Sequence, residues 1–111
     1  MSEHQRILEF DVKQQRLLKK RDCDFSSIVA GTVGYLRAKF YFSEEWDSWT
    51  VKAASFWLND HEHGMLLDEN NSCDIPPEVL KGELFEVSVT GARAGGHRIG
   101  TNKIKVKQGV Y

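Results

Sequence analysis

The sequence is poor in several residue types that mark particular classes of protein. It contains two cysteines and two prolines, and it has no long apolar run. Without about 20 consecutive apolar residues, no transmembrane helix is expected. Fifteen basic residues against sixteen acidic ones give a formal charge of −1, so no electrostatic force attracts the chain to nucleic acid or to an anionic membrane. We therefore expect neither among its partners.

The two cysteines, Cys23 and Cys73, lie far apart and neither belongs to a CxxC pair. The opening residues, Met1 to Arg6, are polar and lead into a strand-like alternation, which is unlike a signal peptide. We therefore expect cytoplasmic synthesis and two reduced thiols. The sequence alone leaves a disulfide between them open.

The chain has the length of one domain, 111 residues. Its apolar residues alternate with period two in segments that glycines and polar turns separate, which is typical of strands. These segments cover residues 7–12, 17–20, 28–29, 36–42, 51–59, 65–67, 85–89 and 98–106. The predicted fold is all-β: an Ig-like antiparallel β-sandwich of about seven to eight strands, forming one domain over residues 1–111. The likeness to immunoglobulins is architectural only, because the Cys…Trp…Cys spacing is missing.

One short helical turn is predicted near residues 76–81, because proline suits the first helical position. Helix also competes for residues 6–20, which are rich in Gln, Arg, Leu and Lys. There, however, Leu8, Phe10 and Val12 alternate with acidic residues, which favours a hairpin.

The pattern of the last strand is irregular. Ile99 occupies an odd position, whereas Ile104 and Val106 occupy even ones. One face cannot hold all three unless a residue is inserted, so we predict a β-bulge near Thr101-Asn102. The glycine-rich stretch 91–96 before it is predicted to be a hairpin loop, and no helix follows it that could bind phosphate.

Candidate metal sites are weak. His61 and His63 form an H-x-H pair that could bind zinc with His97 or Asp60, but we favour solvated residues in a turn over 61–64. The loop acids Asp68, Glu69 and Asp74 do not have the spacing of a calcium-binding EF-hand, and turn chemistry explains them better. Since no nucleophile or phosphate-binding motif is present, we expect no catalytic residues, no metal and no cofactor.

The aromatic residues suggest an interface instead. Trp46 and Trp49 fit core packing, whereas Tyr41 and Trp57 fall on the non-core face of their strands by parity. Tyr41 and Trp57 are therefore the candidate binding residues. Exposed aromatic rings would also suit a carbohydrate-binding sandwich.

Two strings resemble a known family. Residues 38–47, AKFYFSEEWD, and 66–80, LLDENNSCDIPPEVL, are similar to elements of small tail and baseplate domains in phages of Gram-positive bacteria. The nearest likeness is to the N-terminal domain of baseplate upper proteins, and it covers most of residues 5–107. It implies an Ig-like sandwich in which the motif residues Phe40, Phe42, Trp46, Ile75, Pro76, Val79 and Leu80 serve the core and pin loops.

The resemblance also implies a function. It suggests a structural module of a phage or prophage tail or baseplate, synthesised in the bacterial cytoplasm and built into the virion. Its partners would be other tail or baseplate proteins, with a homo-oligomer also compatible, and the family contributes no catalytic residues. The alternative is a carbohydrate-binding sandwich that recognises cell-surface polysaccharide.

Overall fold

The computed structural model describes residues 5–109, so the first four residues of the polar opening lie outside it. Nine strands lie within residues 5–109: β1 (Arg6–Lys13), β2 (Arg16–Lys19), β3 (Leu36–Phe42), β4 (Val51–Leu58), β5 (His61–Leu66), β6 (Ser72–Asp74), β7 (Leu84–Arg93), β8 (His97–Gly100) and β9 (Ile104–Lys107). Two single 3-10 turns span Glu44–Trp46 and Pro77–Val79. Within the described range, no helix is long and apolar enough to cross a membrane.

The strands form two sheets. Sheet I has the order β2-β1-β3-β6, and sheet II has the order β5-β4-β7, with β8 and β9 both paired to β7. This confirms the all-β sandwich, the hairpin over 5–20 and the helical turn after Pro76. The strand count is nine because β6 was not predicted, the last strand is split in two, and residues 28–29 form only a single bridge, from Val29 to Gly109.

One strand pair is parallel, which the antiparallel prediction did not include. In the centre of sheet I, β1 lies parallel to β3, with Phe10 beside Phe40 and Leu8 beside Ala38. Residues 20–35 separate β2 from β3, which is long enough for the crossover that a parallel pair requires. The prediction was wrong here because a period-two pattern is the same for both directions of pairing.

The core lies between the inner faces of the two sheets. Phe10 and Phe40 stack with ring centroids 5.1 Å apart, and Phe42 lies 5.1 Å from Trp46. The indole Nε1 of Trp46 donates to the carbonyl of Gln14 at 2.8 Å. Of the seven motif residues, all are buried except Phe42, which is partly buried. Their predicted role in the core is confirmed.

The predicted bulge is present between β8 and β9. Gly100 pairs with Thr90 and Ile104 pairs with Val87, so three residues on one strand face two on the other. The extra residue frees Asn102, whose Oδ1 accepts a hydrogen bond from the Leu17 backbone N–H at 2.8 Å. Because Leu17 belongs to β2, the bulge connects the margins of the two sheets.

The two cysteines are free thiols in different surroundings. Cys23 is partly exposed, whereas Cys73 is buried on β6. Burial raises the pKa of the Cys73 thiol to about 12, and the nearby Arg37 opposes this shift only in part. Because the thiolate is the reactive form, Cys73 is inert in the folded protein.

We expect an alkylating reagent at pH 8 to modify Cys23 in the native protein and to modify Cys73 only after denaturant is added. The Cys23→Ser variant should take up no label natively and one label when unfolded. Mass spectrometry of the labelled protein measures both states. Rapid native labelling of Cys73 would contradict its burial in sheet I.

Candidate interaction surfaces

Trp57 lies on the outer face of sheet II. Its neighbour Phe56 points into the core, so the pleat turns the indole outwards. The indole Nε1 donates to the Ser88 hydroxyl at 3.1 Å, and the Lys103 ammonium lies 3.6 Å from the ring centroid. This is a cation–π contact, which holds the ring in place and puts a positive charge beside it.

An open groove of about 780 Å³ adjoins Trp57. Its polar lining includes Asn59, Asp60, Glu83, Glu86 and Lys105. Lys81 also lines the groove, which therefore combines one aromatic ring with an amide, carboxylates and two ammonium groups. These groups could bind a polar ligand by hydrogen bonds, or a partner's charged side chains.

Tyr41 lies on the outer face of sheet I. Its hydroxyl donates to the Glu9 carboxylate, and this hydrogen bond, together with partial desolvation and nearby negative charge, raises the pKa of Tyr41. The ammonium groups of Lys39 and Lys20 lie 5.2 and 5.5 Å from its ring centroid. Tyr41 is exposed, as parity predicted.

The structure does not bring Tyr41 and Trp57 together. They occupy the outer faces of different sheets, which point in opposite directions in a sandwich. The two rings therefore cannot form the row of coplanar aromatics that a sugar-stacking platform requires. Each is the candidate centre of a separate surface.

Sheet II also exposes an apolar patch that the sequence interpretation did not identify. Val51 and Leu66 are 49% and 73% exposed, and Leu66 pairs with Ala53 on the outer face. We define these three residues as the sheet II patch. Parity with Phe56 could have placed Val51 and Ala53 outside, but Leu66 gives no such signal because both its neighbours are apolar.

Small residues lie next to the patch. Ser55 pairs with Gly64 on one side and with Ser88 on the other. The Glu62 side chain reaches over this part of the sheet, because its carboxylate accepts a hydrogen bond from the Ser55 hydroxyl.

The H-x-H pair lies in a strand and not in the predicted turn. The reversal is at Asn59-Asp60, where Asn59 has a φ of 56°, and β5 begins at His61. His97 begins β8, and β4 and β7 separate β5 from β8, which places the strands about 14 Å apart. That is too far for a shared metal. Within residues 5–109, no group of three or more His, Cys, Asp or Glu residues is arranged to hold an ion.

The loop acids form turn and ion-pair contacts. Asp68 Oδ1 accepts the backbone N–H groups of Asn70 and Ser72 at 2.8 and 3.0 Å, and Arg37 bridges Asp68 and Asp74 at 3.0 and 2.8 Å. Desolvation alone would raise the pKa of Asp68, but these hydrogen bonds and the guanidinium outweigh it and lower the pKa. The acids therefore pin the loop after β5 to the outer face of β3.

Comparison with known proteins places the chain in no family. No family model matches it, and neither does any curated protein or solved structure.

Proposed function

We propose that this chain is a structural assembly module of a phage or prophage tail or baseplate and that it acts through protein–protein contacts. The tail or baseplate setting rests on the sequence resemblance over residues 38–47 and 66–80. The observation that carries the contact role is the sheet II patch, where Val51 and Leu66 are 49% and 73% exposed.

An exposed apolar patch suits a protein partner better than a small ligand. Small molecules are usually bound in concave sites that enclose most of their surface, whereas Leu66 of the sheet II patch is 73% exposed. Trp57 lies on the same outer face, and tryptophan often anchors protein interfaces. These features support a face that another protein covers.

Carbohydrate binding is the second candidate, and the groove beside Trp57 favours it. Its amide and carboxylate groups are suited to bind sugar hydroxyls. The position of Lys103 weakens this reading, because its ammonium group lies over the ring where a sugar would stack.

The test is co-purification of the tagged domain with the protein products of the neighbouring genes, expressed in the same cells. We expect Leu66→Ser to reduce partner recovery roughly five- to tenfold, the usual effect of truncating a central interface residue. Ile7→Ser is the matched control, since Ile7 is an exposed aliphatic residue, 48% accessible, on sheet I. It should leave recovery unchanged.

A second arm offers purified cell-wall polysaccharide to the wild-type domain, to Trp57→Ser and to Tyr41→Ser. We expect weak or no binding by all three. Tight polysaccharide binding that Trp57→Ser abolishes, with no neighbouring protein recovered, would establish the carbohydrate-binding function instead.

A further inference from the structure

Sheet II has two edges, and at one of them Gly109, just beyond β9, already pairs with residues 28–30. At one side the last strand is β5, and at the other side the last strands are β8 and β9. An edge strand presents backbone N–H and C=O groups that a further strand can pair with. A groove of about 480 Å³, lined by Lys105, Lys107 and Phe25, leaves space beside β9.

The two sides carry opposite charge. Ile104 and Val106 point inwards from β9, so Lys103, Lys105 and Lys107 alternate on the outward and solvent side, and all three are exposed. At the β5 side, Asp60 and Glu62 are exposed, and the Glu62 carboxylate accepts a hydrogen bond from Ser55 of the neighbouring strand β4, so it lies over the outer face beside the edge. A chain with a formal charge of −1 therefore has a basic edge and an acidic edge.

The basic edge is only partly neutralised within the chain. Glu86 pairs with Lys105 across the ladder, but the residue opposite Lys107 is Leu84. Edge lysines commonly prevent strands from pairing indiscriminately. A row of edge lysines can still pair with a strand that carries acidic residues at the opposite positions. The other edge, His61–Leu66, contains no lysine, arginine or proline.

We propose that β9 of one molecule pairs with β5 of a second copy, so that sheet II continues from one molecule into the next. This inference rests on the proposed assembly function and names its partner as another copy of this chain. Strand directions fit, because β5, β4, β7 and β9 are successively antiparallel. In a second copy with the same orientation, β5 therefore runs antiparallel to β9.

In one register, Asp60 and Glu62 each have a lysine of the other copy as a neighbour. If Glu62 of one copy lies opposite Lys105 of the other, the same register brings Asp60, in the turn just before β5, towards Lys107. Glu62 and Lys105 both lie on the outer face of their strands, opposite Trp57 and Glu86. Opposite charges directly across an antiparallel pair are attractive, and like charges there are repulsive.

A symmetric contact between two β5 strands is less favourable. Two-fold pairing brings the two acidic edges together, and it leaves both basic edges unused. The β5-to-β9 contact is head-to-tail, which means that each copy keeps one free edge of each kind. Such contacts build rings when the rotation closes and filaments when it does not.

The test uses two charge-reversal variants of the full chain, Asp60→Lys/Glu62→Lys and Lys105→Glu/Lys107→Glu. Sedimentation at low salt measures self-association. Wild-type protein should associate, and each variant alone should associate about tenfold more weakly or worse, because like charges then meet at the contact. An equimolar mixture should recover association, since each variant supplies the edge that complements the other.

Two controls exclude a folding defect and a general charge effect. Lys13→Glu/Lys39→Glu makes the same charge change on sheet I and should associate as the wild type does. Lys105→Gln/Lys107→Gln removes charge without reversing it, so it should weaken association less. Circular dichroism and melting temperature should match the wild type for every variant.

Three results would overturn the proposal. These are a wild-type protein that stays monomeric at the highest soluble concentration, a mixture that fails to associate, or loss of association only on reversal of Asp60 and Glu62, which would indicate the symmetric β5 contact. If the neighbouring-gene partner is still recovered in any of these cases, the assembly function stands and only its self-contact is wrong.

Discussion

Phe40→Ala is expected to lower the free energy of unfolding by about 3–5 kcal/mol, the usual cost of a large cavity in a core. Phe40 is 1% exposed and lies in β3, directly beside Phe10 of the parallel strand β1. Its ring stacks on Phe10 and lies 6.3 Å from the Phe42 ring centroid. Urea denaturation followed by tryptophan fluorescence measures the change.

The matched control is Tyr41→Ala, which removes an aromatic ring from the next residue of the same strand. Tyr41 is 38% exposed and contacts Glu9 and two lysines on the outer face. Losing these solvent-screened contacts should cost much less than the cavity at Phe40. Equal losses for Phe40 and Tyr41 would mean that the faces of β3 are assigned the wrong way round.

Gly91→Ala should lower the free energy of unfolding by about 1–3 kcal/mol, because it overfills a packed site. A Cβ built on Gly91 would lie 2.9 Å from Cζ3 of Trp46, 3.0 Å from Cγ2 of Ile99 and 3.2 Å from Cβ of Trp49. The buried Trp46 indole has little freedom to move, since its Nε1 is hydrogen-bonded to Gln14. Thermal and urea unfolding measure the loss.

Gly64→Ala provides the comparison on the same sheet. A Cβ at Gly64 would meet no atom within 4 Å, and its backbone is not left-handed. This variant should change the free energy of unfolding by no more than about 0.5 kcal/mol. If it costs as much as Gly91→Ala, then the strand backbone disfavours alanine generally and the contact with Trp46 is not the cause.

Alternation alone predicted the long strands and the bulge. In β3 and β7 the buried inward residues are apolar and most outward ones are polar, so one face is recognisable without any knowledge of its partner. The bulge followed from parity as well, because Ile99 and Ile104 could share a face only with an extra residue between them. Such patterns are local, so they can be recognised whichever way the strands pair.

Features that depend on distant partners could not be predicted. Alternation in β3 puts Arg37 on the outer face, but a local pattern cannot show that Asp68 and Asp74, from the distant segment 68–74, reach it. The hairpin loop predicted over residues 91–96 is wrong at its start, because Gly91 lies within β7 and gives space to Trp46. A larger residue at position 91 would clash with Trp46, which is far away in the sequence.

For the two candidate binding residues too, the local feature could be predicted and the long-range feature could not. Parity placed Tyr41 and Trp57 outside, and both do lie on outer faces. They lie on opposite sides of the sandwich because β3 belongs to sheet I and β4 belongs to sheet II. A local pattern does not show which strands share a sheet. The two opposite edges of sheet II could not be assigned until the strand order was known.

The link between Asn102 and Leu17 has a consequence for synthesis of the chain. The two residues are 85 positions apart, so the N-terminal hairpin leaves the ribosome long before the residue that covers its edge. Contacts between such distant residues form late and slow folding. A nascent chain that pauses before Asn102 therefore exposes an uncovered strand, which can pair with its neighbours on the same polysome.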